Sequence, residues 1–192
     1  MNFIRTDIPD VVIIEPKVHG DERGYFVETF RCDKLEEFLG YKINFSQDNE
    51  SKSSRGVLRG LHYQLAPSAQ TKLVRVIQGR VLDVAVDIRK GSPTFGKHVA
   101  VELTAENKKQ MLVPRGFAHG FVVLEDDTIF AYKVDNYYSP ENDRGIAFDD
   151  EALGIEWQVP HNELNLSAKD KVQPKLAETG DIFEYGVNYY ND

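Results

Sequence analysis

The sequence predicts an all-β protein built as a jelly-roll barrel with a few short peripheral helices. Apolar and polar residues alternate with a period of two in most segments up to residue 138. Turn-forming residues separate these segments at close intervals. The chain also carries 9 Tyr and 11 Phe against 2 Met, an aromatic bias that favours strands. Many short strands joined by close turns are typical of sandwiches and barrels, and the jelly roll is one such form.

The alternation predicts a series of short strands. In chain order they are Val11 to Glu15, Tyr25 to Arg31, Val57 to Gln64, Lys72 to Ile77, Arg80 to Arg89, His98 to Leu103, Met111 to Val113, Phe117 to Leu124 and Thr128 to Tyr138. Gln78-Gly79 predicts a tight hairpin turn, and Thr104 to Asn107 predicts another. One helix is expected from Asp33 to Leu39, with an acidic cap at its start and Gly40 at its end.

The chain is interpreted as a single domain over residues 1–192, because no internal repeat or linker-like stretch of Pro, Ser and Gly interrupts it. The core of this domain covers about residues 10–140. After Pro140 the periodic pattern weakens into short polar and helical pieces. An extension over about residues 141–192 is expected to complete the site and to pack on the barrel.

Composition and charge exclude several classes of protein. With 23 Lys and Arg against 31 Asp and Glu, the net charge of −8 argues against nonspecific binding to nucleic acid. The longest aliphatic run, Val11 to Ile14, is far shorter than the roughly 20 residues of a membrane helix. No secretory signal is visible, and the single Cys32 excludes an intrachain disulfide, so a cytoplasmic location is expected. An anionic ligand would need positive charge gathered locally.

The strand from Val57 to Gln64 carries two residues that could act on a substrate. Arg59 and His62 are three residues apart, so period-two geometry would send their side chains to opposite faces. Gly60 between them is a natural position for a β-bulge that could bring both side chains to one face. A surface arginine and a core histidine are the structural alternative.

Other candidate residues lie on strand faces that mix polar and apolar side chains. Lys72 begins a strand beside two valines, where it is either a solvated end or, inside a barrel, a strong partner for an oxyanion. Aromatic stripes are usually core, but interleaved polar residues favour a lined pocket. The mixed faces are Phe26, Glu28 and Phe30; Gln47 and Asn49; and Phe130, Tyr132, Val134, Asn136 and Tyr138.

The segment from Pro114 to Phe121 is the most specific local motif. A proline and two glycines fix a turn into a strand that carries His119. The segment looks like the second conserved motif of the cupin barrels, where the His commonly ligates a metal. The first cupin motif should supply a His-x-His pair, but His62-Tyr63-Gln64 offers one imidazole. Because a divalent metal is expected to have three or more protein ligands, no functional metal is predicted.

Further motifs extend over nearly the whole chain, from about Ile13 to about Leu176. In order they are Asp21 to Glu28, Gln47-Asp48-Asn49, Arg59-Gly60-Leu61-His62, Lys72, Asp83 to Arg89, Pro114 to Phe121, Tyr132, Tyr138 and Ser167 to Asp170. Taken together they resemble the dTDP-4-dehydrorhamnose 3,5-epimerases of bacterial and archaeal sugar-nucleotide pathways. Each motif is weak alone, whereas the ordered set is specific.

This resemblance implies a cupin-like jelly roll and the inversion of two carbons that flank a ketone. The substrate would be dTDP-4-dehydro-6-deoxy-D-glucose and the product dTDP-4-dehydro-L-rhamnose, in dTDP-rhamnose biosynthesis. His62 would be the base and Asp170 the carboxylate that orients it. Lys72 would stabilise negative charge on the C4 oxygen, and Tyr132 would deliver a proton from the opposite face. The resemblance implies no cofactor.

The resemblance also implies a set of substrate-binding residues. Arg23, Arg59, His119 and Lys169 would surround the phosphates and the sugar, Tyr138 would stack on the thymine ring, and Glu28, Gln47, Asp48 and Asn49 would bond the nucleoside. Asp143 would contact the substrate through a short side chain. The positive members of this set would supply the local charge that an anionic ligand needs.

A homodimer is also implied by the resemblance. The family is generally homodimeric, with Arg23 and Phe26 of one chain reaching the partner's pocket. The tail beyond Leu176 contains Tyr185, Tyr189 and Tyr190 and matches no motif of the family. It is expected to be a packing or dimer element.

Three functions stay open at this point: a nucleotide-sugar epimerase, a metal-dependent cupin enzyme and a non-catalytic sugar-binding cupin. The joint presence of base, orienting acid, cation and phenol favours the epimerase. A binding-only relative would be expected to lack His62 or Tyr132, and a metal-dependent cupin to keep its His-x-His pair. Some relatives invert C3 or C5 alone with nearly the same residues, so a mono-epimerase on a related sugar is an alternative.

Overall fold

The structure, a computed structural model, describes residues 1–190, so the last two residues of the predicted C-terminal extension lie outside it. Strands dominate, which confirms the all-β class. The strands are β1 (Asn2–Arg5), β2 (Val12–Glu15), β3 (Val18–Asp21), β4 (Gly24–Val27), β5 (Gln47–Ser53), β6 (Val57–Gln64), β7 (Lys72–Gln78), β8 (Arg80–Asp87), β9 (Arg89–Lys90), β10 (His98–Thr104), β11 (Gln110–Val113), β12 (Phe117–Val123), β13 (Thr128–Val134), β14 (Asp143–Gly145), β15 (Asn165–Leu166) and β16 (Phe183–Glu184). The helices are α1 (Cys32–Leu39) and the short 3₁₀ helices His161–Glu163, Asp170–Val172 and Leu176–Glu178.

Two large sheets face each other across the core. Sheet I has the strand order β1-β2-β11-β7-β13-β5, and sheet II has the order β10-β8-β12-β6-β14, with β15 beside β6. Side chains from both inner faces pack together, among them Val74 and Phe130 from sheet I and Ala85 and Phe121 from sheet II. Two packed antiparallel sheets are the arrangement that the jelly-roll prediction requires.

Both predicted hairpin turns are wrong, because the strands that they join belong to different sheets. β7 lies in sheet I and β8 in sheet II, so the chain crosses between the sheets at Gly79. Gly79 has a φ of 76°, and a Cβ at this position would lie 2.2 Å from Thr128 Oγ1. The turn from Thr104 to Asn107 likewise joins β10 in sheet II to β11 in sheet I. Alternation indicates a strand but not its partner.

Two predicted strands end well before their expected last residue, and several short strands are not predicted, β5 among them. The segment from Tyr25 to Arg31 leaves the extended conformation after Val27, because β4 pairs only with β3 in an exposed hairpin. The segment from Thr128 to Tyr138 ends as a strand at Val134. β5 lies at the edge of sheet I beside β13, but its sequence QDNESKS has no apolar residue that alternation could reveal.

Helix α1 confirms the predicted helix, although its N-terminal cap differs. Arg31 is the N-cap residue and makes no side-chain cap hydrogen bond. Asp33 lies in the first turn and pairs with Arg31 at 2.5 Å, so the expected acidic cap is wrong. Gly40 ends the helix with a φ of 81°, a left-handed conformation that glycine adopts without strain.

The outer faces of the two sheets are covered by different parts of the chain. Leu35 of α1 packs against Leu73 and Leu112 on the outside of sheet I. Residues after Pro140 pack on the outside of sheet II, where Trp157 Nε1 donates to Phe148 O at 2.8 Å. Within residues 1–190, no helix has the length and apolar character needed to cross a membrane.

Candidate active site

Two adjoining cavities lie between the sheets. The larger has a volume of about 510 Å³ and the smaller a volume of about 310 Å³. His62, Lys72 and Tyr132 line both of them. The larger cavity is also lined by Arg59, His119, Phe121, Phe130, Ser167 and Asp170, and the smaller by Gln47, Asn49, Tyr138, Asp143 and Lys169. Most of the predicted site residues therefore surround one shared space.

A β-bulge brings Arg59 and His62 to the same cavity. In the ladder between β6 and β12, His62 lies opposite His119 and Arg59 lies opposite Phe121, so β6 carries one extra residue. The bulge predicted at Gly60 is thus confirmed. Gly60 has a φ of 131°, and any side chain there would collide with the backbone of β12. Because of this extra residue, the side chains of Arg59 and His62 point to the same face of β6, although regular alternation would put them on opposite faces.

His62 and Asp170 form a short hydrogen-bonded pair. The distance from His62 Nε2 to Asp170 Oδ1 is 2.5 Å. The Asp170 side chain is 4% exposed, and its second oxygen accepts from Ser167 Oγ at 2.8 Å. Burial alone would raise the pKa of Asp170, but the hydrogen bonds from His62 and Ser167 outweigh burial and lower the pKa. Asp170 is therefore an ionised carboxylate whose two oxygens are both held.

Lys72 is the cation that the two cavities share. It begins β7 in sheet I, with its backbone paired to Val134 of β13 and Val113 of β11. Burial lowers the pKa of Lys72 to about 8, and the nearby carboxylates of Asp83 and Asp143 act in the opposite direction. An ammonium group in such a desolvated place interacts strongly with a developing negative charge.

A second buried His–Asp pair lies beside Lys72. His119 Nε2 is 2.9 Å from Asp83 Oδ1, and both side chains are buried. Burial raises the pKa of Asp83 and lowers the pKa of His119. Within residues 1–190, the other oxygen of Asp83 has no hydrogen-bond partner. Asp83 therefore holds the His119 ring and contributes negative potential at Lys72.

Tyr132 approaches the cavities from the sheet opposite to His62. It lies in β13 of sheet I, whereas His62 lies in β6 of sheet II. Burial raises the pKa of Tyr132, and Arg59 opposes this shift. Two residues earlier in β13, Phe130 stacks on Phe121 of sheet II with ring centroids 4.0 Å apart. The ring pair bridges the sheets beside the site.

The smaller cavity contains a set of mutually bonded polar groups. Gln47 Nε2 donates to Asn49 Oδ1 at 2.7 Å, and both residues face inward from β5. Tyr138 donates its hydroxyl hydrogen to Asp143 Oδ2 at 3.1 Å, and Lys169 Nζ binds the same oxygen. One carboxylate thus holds the lysine and the tyrosine that sequence similarity places at the substrate.

Four predicted binding residues do not reach these cavities within the chain. Arg23 and Phe26 are highly exposed on the β3–β4 hairpin, where Arg23 pairs with Asp21. Glu28 is exposed and pairs with Arg31 at 3.8 Å. The geometry gives these residues no part in a site formed by one chain.

Asp48 is the fourth of these residues, and it lies on the face of β5 that points away from the two cavities. Gln47 and Asn49 point toward the cavity, so Asp48 between them points outward and binds Lys133 Nζ at 2.8 Å. Asp48 instead lines a neighbouring groove that Asn49 and Tyr132 also line, and its bond to the nucleoside stays a prediction.

Sequence reasoning assigned no role to Asp83 or Ser167, although both lie in the motifs that it used. A signal was present for Asp83, which shares an inward face of β8 with Val81 and Ala85. A carboxylate on an apolar strand face needs a partner, and His119 is that partner. Ser167 gave no comparable signal, because a serine near a 3₁₀ helix is a common turn residue.

The histidines of the site are held by carboxylates. His62 and His119 are cross-strand neighbours, but each ring bonds to its own aspartate. In the part of the chain that the structure describes, no three His, Cys, Asp or Glu side chains are grouped as metal ligands would be.

Comparisons with known proteins identify the family to which this chain is similar. Residues 5–178 match the family model described as dTDP-4-dehydrorhamnose 3,5-epimerase. The dTDP-4-dehydrorhamnose 3,5-epimerase of Shigella flexneri is 61% identical over 170 residues, which is 88% of this chain and 93% of that protein. The enzyme of the same name from Methanothermobacter thermautotrophicus is 49% identical over 177 residues, covering 92% of this chain and 95% of that one.

Solved structures of similar proteins have the same fold. A dTDP-6-deoxy-D-glucose-3,5-epimerase from Legionella pneumophila Philadelphia 1, in complex with dTDP-4-keto-L-rhamnose, has a TM-score of 0.92 and 49% identity, covering 97% of this chain and 99% of that chain. A 3′-monoepimerase from Streptomyces bikiniensis, in complex with dTDP-quinovose, has a TM-score of 0.84 and 35% identity, covering 90% and 86%. The chain belongs to the dTDP-4-dehydrorhamnose 3,5-epimerase family.

Proposed function

We propose that this protein inverts C3 and C5 of dTDP-4-dehydro-6-deoxy-D-glucose to give dTDP-4-dehydro-L-rhamnose, a step of dTDP-rhamnose biosynthesis. The observation that carries this proposal is the origin of the two proton-transfer groups. His62 comes from sheet II and Tyr132 from sheet I, and both line the cavities that also contain Lys72. Inversion needs a proton removed on one side of a carbon and delivered on the other.

His62 is the base. An ionised carboxylate can only accept a hydrogen bond, so Asp170 selects the tautomer that is protonated at Nε2 and leaves Nδ1 as the proton acceptor. Nδ1 takes the proton from the carbon beside the C4 ketone. The C–H electron pair then forms a double bond to C4, and the negative charge moves to the C4 oxygen as an enolate. Asp170 then stabilises the imidazolium, as the aspartate of a hydrolase triad does.

Lys72 stabilises the enolate, and Tyr132 completes the inversion. Negative charge develops on the C4 oxygen, where a desolvated ammonium contributes more than it would in water. The phenol of Tyr132 gives its proton to the carbanionic carbon from the opposite face. Each inversion leaves an imidazolium and a phenolate, which are reset by proton exchange with solvent. The same cycle at the second carbon uses the same groups, and the chemistry needs no redox cofactor.

The nucleotide is bound by the cationic and polar groups around the two cavities. Arg59 in the larger cavity and Lys169 in the smaller gather positive charge in a protein whose net charge is −8, and His119 lines the larger cavity with Arg59. Tyr138 is exposed at the smaller cavity and presents its ring to the thymine. Gln47 and Asn49 bond the nucleoside.

A homodimer accounts for the residues that do not reach the cavities of their own chain. Arg23 and Phe26 lie on the exposed β3–β4 hairpin, where Phe26 is 70% exposed. In the proposed dimer this hairpin inserts beside the partner's site and adds a cation and an aromatic ring to it. Glu28 follows the hairpin and acts at the same junction. We place the enzyme in the cytoplasm, where a protein with one cysteine needs no oxidising environment.

A mono-epimerase is the second candidate, because the similar Streptomyces bikiniensis protein is a 3′-monoepimerase with a TM-score of 0.84. Incubation with dTDP-4-dehydro-6-deoxy-D-glucose in deuterated water separates the two functions, since each abstraction leaves deuterium at its own carbon. We expect deuterium at both C3 and C5 with inverted configuration. Label at one carbon alone would assign the mono-epimerase, and the absence of label at both would contradict epimerisation.

A further inference from the structure

The C-terminal tail ends in a hydrogen-bonded cluster near the site, although the family match stops at residue 178. β16 pairs in parallel with β9, and Tyr185 N donates to Lys90 O at 2.9 Å. The Tyr189 ring then packs edge-on against Phe183, with centroids 4.8 Å apart. These contacts fix the tail to the barrel and bring the next residue, Tyr190, to the start of β7.

Tyr190, Thr71, Asp135 and Arg115 form a closed ring of hydrogen bonds. The Tyr190 hydroxyl bonds Thr71 Oγ1 at 3.0 Å and accepts from the backbone N–H of Arg115 at 3.2 Å. The backbone N–H of Thr71 donates to Asp135 Oδ1 at 2.6 Å. Arg115 Nε donates to the other carboxylate oxygen of Asp135 at 3.2 Å, which closes the ring. The loss of any one group opens it.

The ring joins the ends of three strands that carry site residues. Thr71 is fully buried and directly precedes Lys72 at the start of β7. Asp135 directly follows β13, the strand of the proposed proton donor, and its N–H donates to Thr71 O at 3.3 Å. Arg115 lies in the turn between β11 and β12. The Thr71–Asp135 pair extends the β7–β13 ladder by one step beyond Lys72.

We propose that Tyr190 is a positioning residue for epimerisation, in that its hydroxyl holds Thr71 and thereby places the Lys72 ammonium for the C4 oxygen. This inference rests on the proposed function. The start of β7 determines where the flexible lysine side chain enters the cavity, and small displacements of a catalytic group are costly to rate. Except for His119 in β12, the residues assigned to the nucleotide lie on other elements, so Tyr190 acts mainly on turnover.

The test compares two tyrosines of the same tail. Tyr190→Phe removes the hydroxyl from the ring, whereas Tyr189→Phe removes a hydroxyl that accepts from Glu184 N at 2.8 Å outside it. We expect Tyr190→Phe to lower kcat about 3- to 10-fold, as for the loss of one hydrogen bond, with KM changed less than about twofold. Tyr189→Phe should keep the kcat of the wild type.

Variants of Thr71 test whether the effect passes through that residue. Thr71→Val should lower kcat as Tyr190→Phe does, the double variant should fall no further, and Thr71→Ser should restore activity because it keeps the hydroxyl. Three results would overturn the inference. They are equal losses of kcat in Tyr190→Phe and Tyr189→Phe, additive losses in the double variant, and an unchanged kcat in Tyr190→Phe. A wild-type protein without epimerase activity would overturn the proposed function, and this inference with it.

Discussion

Asp170→Asn isolates the contribution of the carboxylate behind the proposed base. The substitution removes one negative charge and keeps the shape of the side chain, and Ser167 Oγ can still bond the amide. The histidine then has no ionised partner when it takes up the substrate proton. The fold should be unaffected, because the amide fits the same buried place.

The size of the effect follows from the short His62–Asp170 pair. With charge centres about 4 Å apart and an effective dielectric constant of about 20, a carboxylate and an imidazolium attract each other by about 4 kcal/mol. If roughly half of the charge has developed in the transition state, about 2 kcal/mol is lost, which is a rate about 30-fold lower. The amide can also donate to Nε2, which would move the ring proton to Nδ1 and remove the acceptor. A decrease of at least about 30-fold is therefore expected.

The assay is the rate of deuterium incorporation at C3 and C5, measured by NMR of the dTDP-sugar in deuterated water. Both rates should fall together, since one base serves both carbons. Ser167→Ala is the matched control, because it removes the partner of the other carboxylate oxygen and leaves the bond to His62. Exchange at either carbon within about threefold of the wild-type rate in Asp170→Asn would show that Asp170 does not support His62 in the reaction.

Three further changes have defined outcomes. Tyr132→Phe should keep exchange of label with retained configuration better than net inversion, and equal loss of both would assign the residue to binding. Activity should decline as the pH rises through about 8, because Lys72 loses its charge there. The Lys72→Arg variant should lack this decline. An unchanged wild-type rate up to about pH 10 would contradict the role of Lys72. Gly60→Ala should lower the free energy of unfolding, measured in urea, by more than about 2 kcal/mol, since its Cβ would lie 2.5 Å from Gly120 Cα. An unchanged midpoint of urea unfolding would show that the bulge relaxes to accept the methyl group.

The sequence predicts the strands well where one face of a strand is apolar, and poorly elsewhere. β6 has the predicted bounds, Val57–Gln64, because its buried positions carry large apolar side chains. β5 is entirely polar and escapes the pattern, although it carries Gln47 and Asn49 into the smaller cavity. The crossing at Gly79 looks like a hairpin turn in the sequence, since pairing depends on contacts far along the chain.

The site could be predicted in part, because its chemistry limits the residue types. His62 and Arg59 are three residues apart, so regular alternation would put their side chains on opposite faces of the strand. The glycine between them is the local signal that a bulge could bring both side chains to one face. The partnership of His62 with Asp170 spans 108 positions, so no local pattern could reveal it and sequence similarity supplied it. The outward direction of Asp48 was available from alternation alone, once β5 is known to be a strand.

The stacked rings of Phe121 and Phe130 link the hydrophobic core to the geometry of the candidate site. These rings come from opposite sheets, and each lies in the same sheet as one of the two residues proposed to transfer protons. Their contact distance fixes how far apart the sheets stand beside the site, and so fixes the width of the gap across which a sugar ring must meet both His62 and Tyr132. The core contact therefore sets the spacing between the two residues that are proposed to transfer protons.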